Sequence, residues 1–115
     1  VICVRCRNAE MQKCRKLQFE TTLSGRAWLR HIARWQAAGY RVELIFLRLK
    51  SADDAVARVA QRVKQGGHHI PEAVIRRRFA AGLKNFTHHY AHAVDAWALY
   101  DNTGELPELL DWSAP

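Results

Sequence analysis

The stretch "RVELIFLRL", Arg41 to Leu49, holds six apolar residues, Val42, Leu44, Ile45, Phe46, Leu47 and Leu49, in nine positions. A membrane-spanning helix needs about 18 apolar residues, so this run is too short to be one. Its apolar residues do not alternate with polar ones, and a strand buried on both faces, as in a parallel sheet, explains that best. Such a strand needs helices packed over it, which directs attention to the 3.6-residue periodicity of the flanking segments.

Both flanks carry it. Upstream, Phe19 to Leu23 reads as a short strand, and Ser24 is placed to cap a helix with Trp28, Leu29, Ile32, Ala33 and Trp35 as its apolar stripe. Gly39 then stands where a left-handed helix end is wanted. Downstream, Ser51 and Asp54 form a Ser-x-x-acid start for a helix from Ala52 to about Gln65, and Gly66-Gly67 stops it. Pro71 and Glu72 suit the first turn of another helix, extended for about five turns by Val74, Ile75, Phe79, Leu83, Phe86 and Tyr90. Trp97 to Tyr100 reads as a strand ending in an Asn-Thr-Gly turn, and "ELPELLDW" as one or two last helical turns. The expected fold is an α/β domain with a largely parallel sheet. Ligands would then bind beyond the carboxyl ends of its strands.

One domain is expected, since 115 residues fall within the usual domain size. The start of the chain lacks an apolar run of signal-peptide length and an initiating Met, and the expectation is a cytoplasmic chain, read as a fragment. Cys3, Cys6 and Cys14 are an odd set with no second C-x-x-C, which favours incidental reduced thiols over zinc or a disulfide framework.

The net charge of +7 is unevenly spread. Residues 1–50 hold eleven Lys or Arg against three acids, residues 58–84 seven against one, and residues 85–115 none against five. A basic body attracts phosphate-bearing partners, although solvated helix faces give the same totals. Arg58 and Arg62 share one helix face, and Arg76, Arg77 and Arg78 follow across a tight loop, so the two helices can bring guanidinium groups together around phosphate oxygens. His88, His89 and His92 offer helical spacings suited to a metal, but no His-Glu-x-x-His accompanies them, and Asp95 is the nearby acid. Nucleic acid is a weaker partner class, because Trp28, Trp35 and Trp97 fall in or beside apolar stripes.

In chain order, "FETTLSGR", "AGYRVELIFLRL", "VARVAQRVKQGGHHIPEAVIRRRF", "GLKNF" and "YDNTG" resemble the distal half of the zeta toxin family of P-loop kinases. The likeness runs from Phe19 to Gly104, and its most specific part is R-x-x-x-R-x-x-x-G-G-H-x-I-P-x-x-x-I-x-R-R-F. Residues 1–18 read as an irregular basic segment without family character, and the resemblance implies that residues 19–115 are the distal part of such a kinase domain. The resemblance implies a P-loop kinase-like parallel sheet, with a helix-loop-helix segment that acts as a lid. It implies ATP or GTP with Mg²⁺ as cofactors, UDP-N-acetylglucosamine or a related metabolite as acceptor, and raises an antitoxin as a further partner. Glu20 and Thr21 fall on the family's substrate side. Arg62, His68 and Arg78 match the segment that approaches the nucleotide phosphates, with Arg58 less secure, and Asn102 matches the turn near the nucleotide.

The phosphate loop G-x-x-x-x-G-K-[ST] is not among the 115 residues, and the family's catalytic aspartate is missing with it. Phosphoryl transfer depends on positioning and electrostatics from those groups, so this chain alone is expected to be inactive as a kinase. A sheet without its first strand should leave an open edge prone to self-association. The alternative function is a noncatalytic basic module that contacts nucleic acid or a protein partner.

Overall fold

The computed structural model describes residues 1–6 and 17–113 of the chain. The elements are β1 (Ile2–Cys6), β2 (Leu17–Phe19), α1 (Ala27–Ala37), β3 (Tyr40–Arg48), α2 (Ala52–Lys64), α3 (Glu72–Asn85), a π-helical turn (Phe86–Tyr90), the short α4 (Ala91–Ala93), β4 (Ala96–Asp101) and β5 (Glu108–Trp112). The five strands form one sheet in the order β2-β1-β3-β4-β5.

The mixed α/β character agrees with the apolar patterns, but the direction of the sheet does not. Only β3 and β4 are parallel, while the β1–β2, β1–β3 and β4–β5 pairs are antiparallel. The segment expected to be irregular supplies β1, whose Ile2 and Val4 lie opposite Leu44 and Val42 of β3. The alternation Ile2-Val4 was too short to stand out as a strand, and pairing with β3 provides what local sequence does not. The place beside β3 is therefore filled, and the sheet edges are β2 and β5. Cys14 lies outside the described residues.

Three further expectations are corrected. The strand placed at Phe19 to Leu23 ends at Phe19, because Leu23 takes a positive φ of 57° and its N–H donates to the Thr21 hydroxyl at 3.1 Å, turning the chain out of an extended path. Ser24 does not cap α1. Arg26 holds the N-cap position without a side-chain cap bond, while the Ser24 hydroxyl accepts from Thr22 at 3.0 Å. "ELLDW" is the edge strand β5, paired with β4, since five residues are too few for an independent helix.

Elsewhere local rules and structure coincide. Gly39 and Gly66 each adopt φ 94°, the left-handed geometry that ends a helix. Ser51 caps α2 by accepting from Asp54 N–H at 3.3 Å. Pro71 stands at the N-cap of α3, one position before the first helical residue.

The core lies on one face of the sheet. Ile2, Val4, Val42 and Leu44 meet Ile32 of α1 together with Phe86 and Tyr90 of the π-turn, all at 5% exposure or less. Phe86 stacks on Phe46 at 4.8 Å and meets Trp97 edge-on at 5.4 Å, two aromatic geometries that add to the area they bury. Gln36 ties α1 to the turn before β4, donating to Ala93 O at 2.8 Å and to Asp95 at 3.3 Å. Asp95 also accepts from Val42 N–H at 2.8 Å, which fixes the start of β4 beside β3. By contrast α2 has no fully buried residue and packs chiefly on α3, forming a helical hairpin at the end of the sheet.

Candidate functional site

The hairpin leaves a cleft of about 520 Å³ at the carboxyl end of β3. That end is where a parallel pair leaves room for a ligand. Arg58 and Arg62 reach it from α2, Arg78 from α3, and Arg48 from the last position of β3. Glu20 and Thr21 line it from the loop between β2 and α1. The apolar lining includes Phe46, Leu49, Val59, Ile75 and Phe79.

Five of the seven residues singled out from sequence therefore meet in one cleft: Glu20, Thr21, Arg58, Arg62 and Arg78. Their convergence follows from the local rules. The four-residue spacing puts Arg58 and Arg62 on one side of α2, and the glycine stop at 66–67 turns α3 back alongside it. Gly67 is held close, since a β-carbon there would lie 2.8 Å from Arg62 O. His68 is exposed in the loop beyond and does not line the cleft. Asn102 contributes through its backbone, its carbonyl accepting from Arg58 Nη2 at 2.7 Å, while its N–H donates to Arg48 O at 2.8 Å. Arg58 is thereby fixed against the turn that follows β4.

The arginines differ in what already holds them. Arg76 is engaged outside the cleft by Asp53 at 2.6 Å and Glu72 at 2.9 Å, and hydrogen bonds to those two carboxylates raise its pKa. The Arg62 and Arg78 guanidinium groups have no hydrogen-bond or ion-pair partner among the described residues. Asp101, at the end of β4, is held below its ordinary pKa by hydrogen bonds from the Thr103 side chain and backbone. Its carboxylate organises the 101–103 turn, and the Thr103 hydroxyl accepts from Lys50 N–H at 3.0 Å. Guanidinium groups with no side-chain partner beside an apolar wall have the hydrogen-bonding chemistry that phosphate oxygens accept.

Some contributors were not singled out from sequence. Arg48 sits at the last position of its strand, where parallel-sheet geometry alone would have drawn attention to it. Gly82, buried in the middle of α3, carries a recognisable signal, because glycine inside a helical pattern marks a close approach. A β-carbon at Gly82 would lie 2.3 Å from Thr22 O, so α3 presses directly on the loop that bears Glu20 and Thr21.

Among the described residues no group of three or more His, Cys, Asp or Glu side chains is placed to hold a metal ion. No helix among them is long and apolar enough to cross a membrane.

No protein-family model matches the chain, and no solved structure matches it. A protein of Haemophilus influenzae described as uncharacterized is 32% identical over 60 residues, which are 52% of this chain and 43% of that protein. The chain thus matches less than half the length of this relative.

Proposed function

We propose that the cleft is the phosphate- and acceptor-binding part of a zeta-toxin-type small-molecule kinase. The observation that carries this is the meeting of Arg58, Arg62 and Arg78 with Glu20 and Thr21 around one cleft. Arginines placed round a transferring phosphoryl group stabilise the charge on its oxygens. Glu20 and Thr21 supply, on the facing loop, an acceptor and a hydroxyl for sugar-type hydroxyl groups. The nucleotide is ATP or GTP and the acceptor UDP-N-acetylglucosamine or a related metabolite.

Phosphate groups fit the residues present, but Mg²⁺ does not. The sequence holds no phosphate-loop hydroxyl, and among the described residues no cluster of carboxylates is placed for the ion, so no step is assigned to it. What these residues do is bind and orient: the arginines neutralise phosphate, and the 20–25 loop presents the acceptor. Turnover of the family type requires a phosphate loop, and the catalytic aspartate that follows it, neither of which stands among the 115 residues.

Calorimetric titration with inorganic tripolyphosphate tests the arginine side directly. The chain is expected to bind it, with affinity falling as salt rises from about 50 to about 200 mM. The double substitution Arg62→Gln and Arg78→Gln should weaken binding by at least about tenfold. A double variant that binds as tightly as the parent chain would remove the phosphate assignment.

A further inference from the structure

One side chain from the end of α3 and one from the π-turn that follows it reach across to the same short loop. Asn85 Nδ2 donates to Leu23 O at 2.8 Å, and the Tyr90 hydroxyl donates to Gly25 O at 2.7 Å. These residues are five apart. On a regular α-helix of 3.6 residues per turn they would stand about 140° from one another round the axis. Here the helix widens: Ala91 N–H donates to Phe86 O, an i to i+5 bond. Such a π-turn brings residues five apart back to nearly the same side, and π-turns of this kind concentrate at functional sites.

The loop needs holding. Leu23 is 1% exposed with φ 57°, a backbone state that a non-glycine residue keeps only where its surroundings impose it. Gly82 meets the Thr22 carbonyl from the same helix, so Thr22, Leu23 and Gly25 are each contacted from α3 and its π-turn. Tyr90 is fully buried, and that burial pushes its phenol pKa up, partly offset by the Trp28 backbone. Its hydroxyl therefore stays a neutral donor to the loop.

We propose that Asn85 and Tyr90, brought to one side of α3 by the π-turn, are positioning residues that hold Glu20 and Thr21 in place at the cleft. The acceptor-binding consequence rests on the kinase-type reading of the cleft. Because the cleft's arginines stand on α2, α3 and the end of β3 rather than on the loop, loosening the loop should affect the acceptor and spare simple phosphates.

The test uses Asn85→Leu and Tyr90→Phe, the second of which keeps the buried ring. Each variant and the parent chain are titrated with tripolyphosphate and with UDP-N-acetylglucosamine, and amide exchange at Leu23 is followed by NMR. Both variants are expected to bind tripolyphosphate within about twofold of the parent and UDP-N-acetylglucosamine about tenfold more weakly, with Leu23 exchanging about tenfold faster. Unchanged exchange at Leu23 in both variants overturns the proposal whatever the ligands do. Faster exchange with equal losses for both ligands, or with UDP-N-acetylglucosamine binding retained, also overturns it. A parent chain that binds neither ligand removes the reading of the cleft instead, and the exchange result then decides by itself whether the two residues hold the loop.

Discussion

The α-carbon of Gly82 stands so close to the Thr22 carbonyl that a β-carbon there would lie 2.3 Å from the oxygen. Alanine would be the better helix former by up to about 1 kcal/mol, but the contact is with backbone and cannot be relieved by turning a side chain. Gly82→Ala is expected to destabilise the chain by about 1–3 kcal/mol, the range for overpacking. At Gly25, where nothing lies within 4 Å of the added carbon, alanine should cost less than about 0.5 kcal/mol. Urea denaturation of both variants checks the contrast, and equal midpoints would show that α3 can move off the loop without loss.

Glu43 joins two strands from the solvent face of the sheet, accepting from Arg41 on its own strand at 2.9 Å and from Arg5 on β1. Burial would raise its pKa, but hydrogen bonds from Arg41 and Arg5 outweigh it, and the net shift is downward. A carboxylate with a lowered folded-state pKa stabilises above its unfolded value of about 4.3 and loses that contribution as the pH falls through the folded value. Glu43→Gln should therefore cost up to about 1 kcal/mol at neutral pH, since the arginines are nearly half exposed and solvent screens the pair. The difference from the parent should shrink through the acid range and vanish once both forms are uncharged. A pH series of denaturation midpoints reads this out, and a deficit that persists in acid would assign the loss to packing instead.

How far the sequence discloses the fold depends on whether the deciding force is local. Ser51, Gly39 and Gly66 act within a few residues of themselves, and α1, α2 and α3 lie close to where their periodicity put them. Val42 to Leu49 announced the strand β3, but not one buried on both faces: Val42 and Leu44 are buried while Leu47 on the other side is 43% exposed, and a run of apolar residues does not say which way its neighbours point. Ile2 and Val4 make β1 only by lying opposite Leu44 and Val42, more than 35 residues away in sequence. Residues 108–112 likewise owe their strand form to pairing with β4 and not to any alternation of their own. The cleft was more legible than the sheet, since the arginine spacing and the glycine stop are local features. Asn85 escaped because its partner is a carbonyl 62 residues away, and Tyr90 because it reaches the same loop only through a π-turn that no residue type encodes.

The start of α2 gives a clean measure of one local contribution. The Ser51 hydroxyl accepts from Asp54 N–H at 3.3 Å and donates to the Asp54 carboxylate at 3.1 Å, so the acid holds the capping hydroxyl instead of reaching back to the Ser51 backbone. Ser51→Ala removes both bonds and is expected to cost about 1 kcal/mol, whereas Ser51→Gly should cost only a few tenths relative to serine. Because α2 carries Arg58 and Arg62, the alanine variant should also release the first turn of that helix to faster amide exchange. Protection at Asp54 unchanged from the parent would argue that packing on α3, not the cap, sets the start of the helix.

Arg76 and Arg78 are two positions apart on α3 and are predicted to fail in opposite ways. Arg76 bridges α2 and α3 through Asp53 and keeps Glu72 one turn away, so its charge is already answered. Arg78 lines the cleft with no partner of its own among the described residues. Arg76→Gln should lower stability only slightly, an effect that salt diminishes, and leave tripolyphosphate affinity within about twofold. Arg78→Gln should leave the denaturation midpoint unchanged and weaken tripolyphosphate about tenfold, the loss of one charge-assisted contact. Titration and denaturation of the two single variants in parallel separate the roles. If Arg76→Gln loses as much affinity as Arg78→Gln, phosphate is held by the general positive field of the hairpin and not by the arginines that line the cleft.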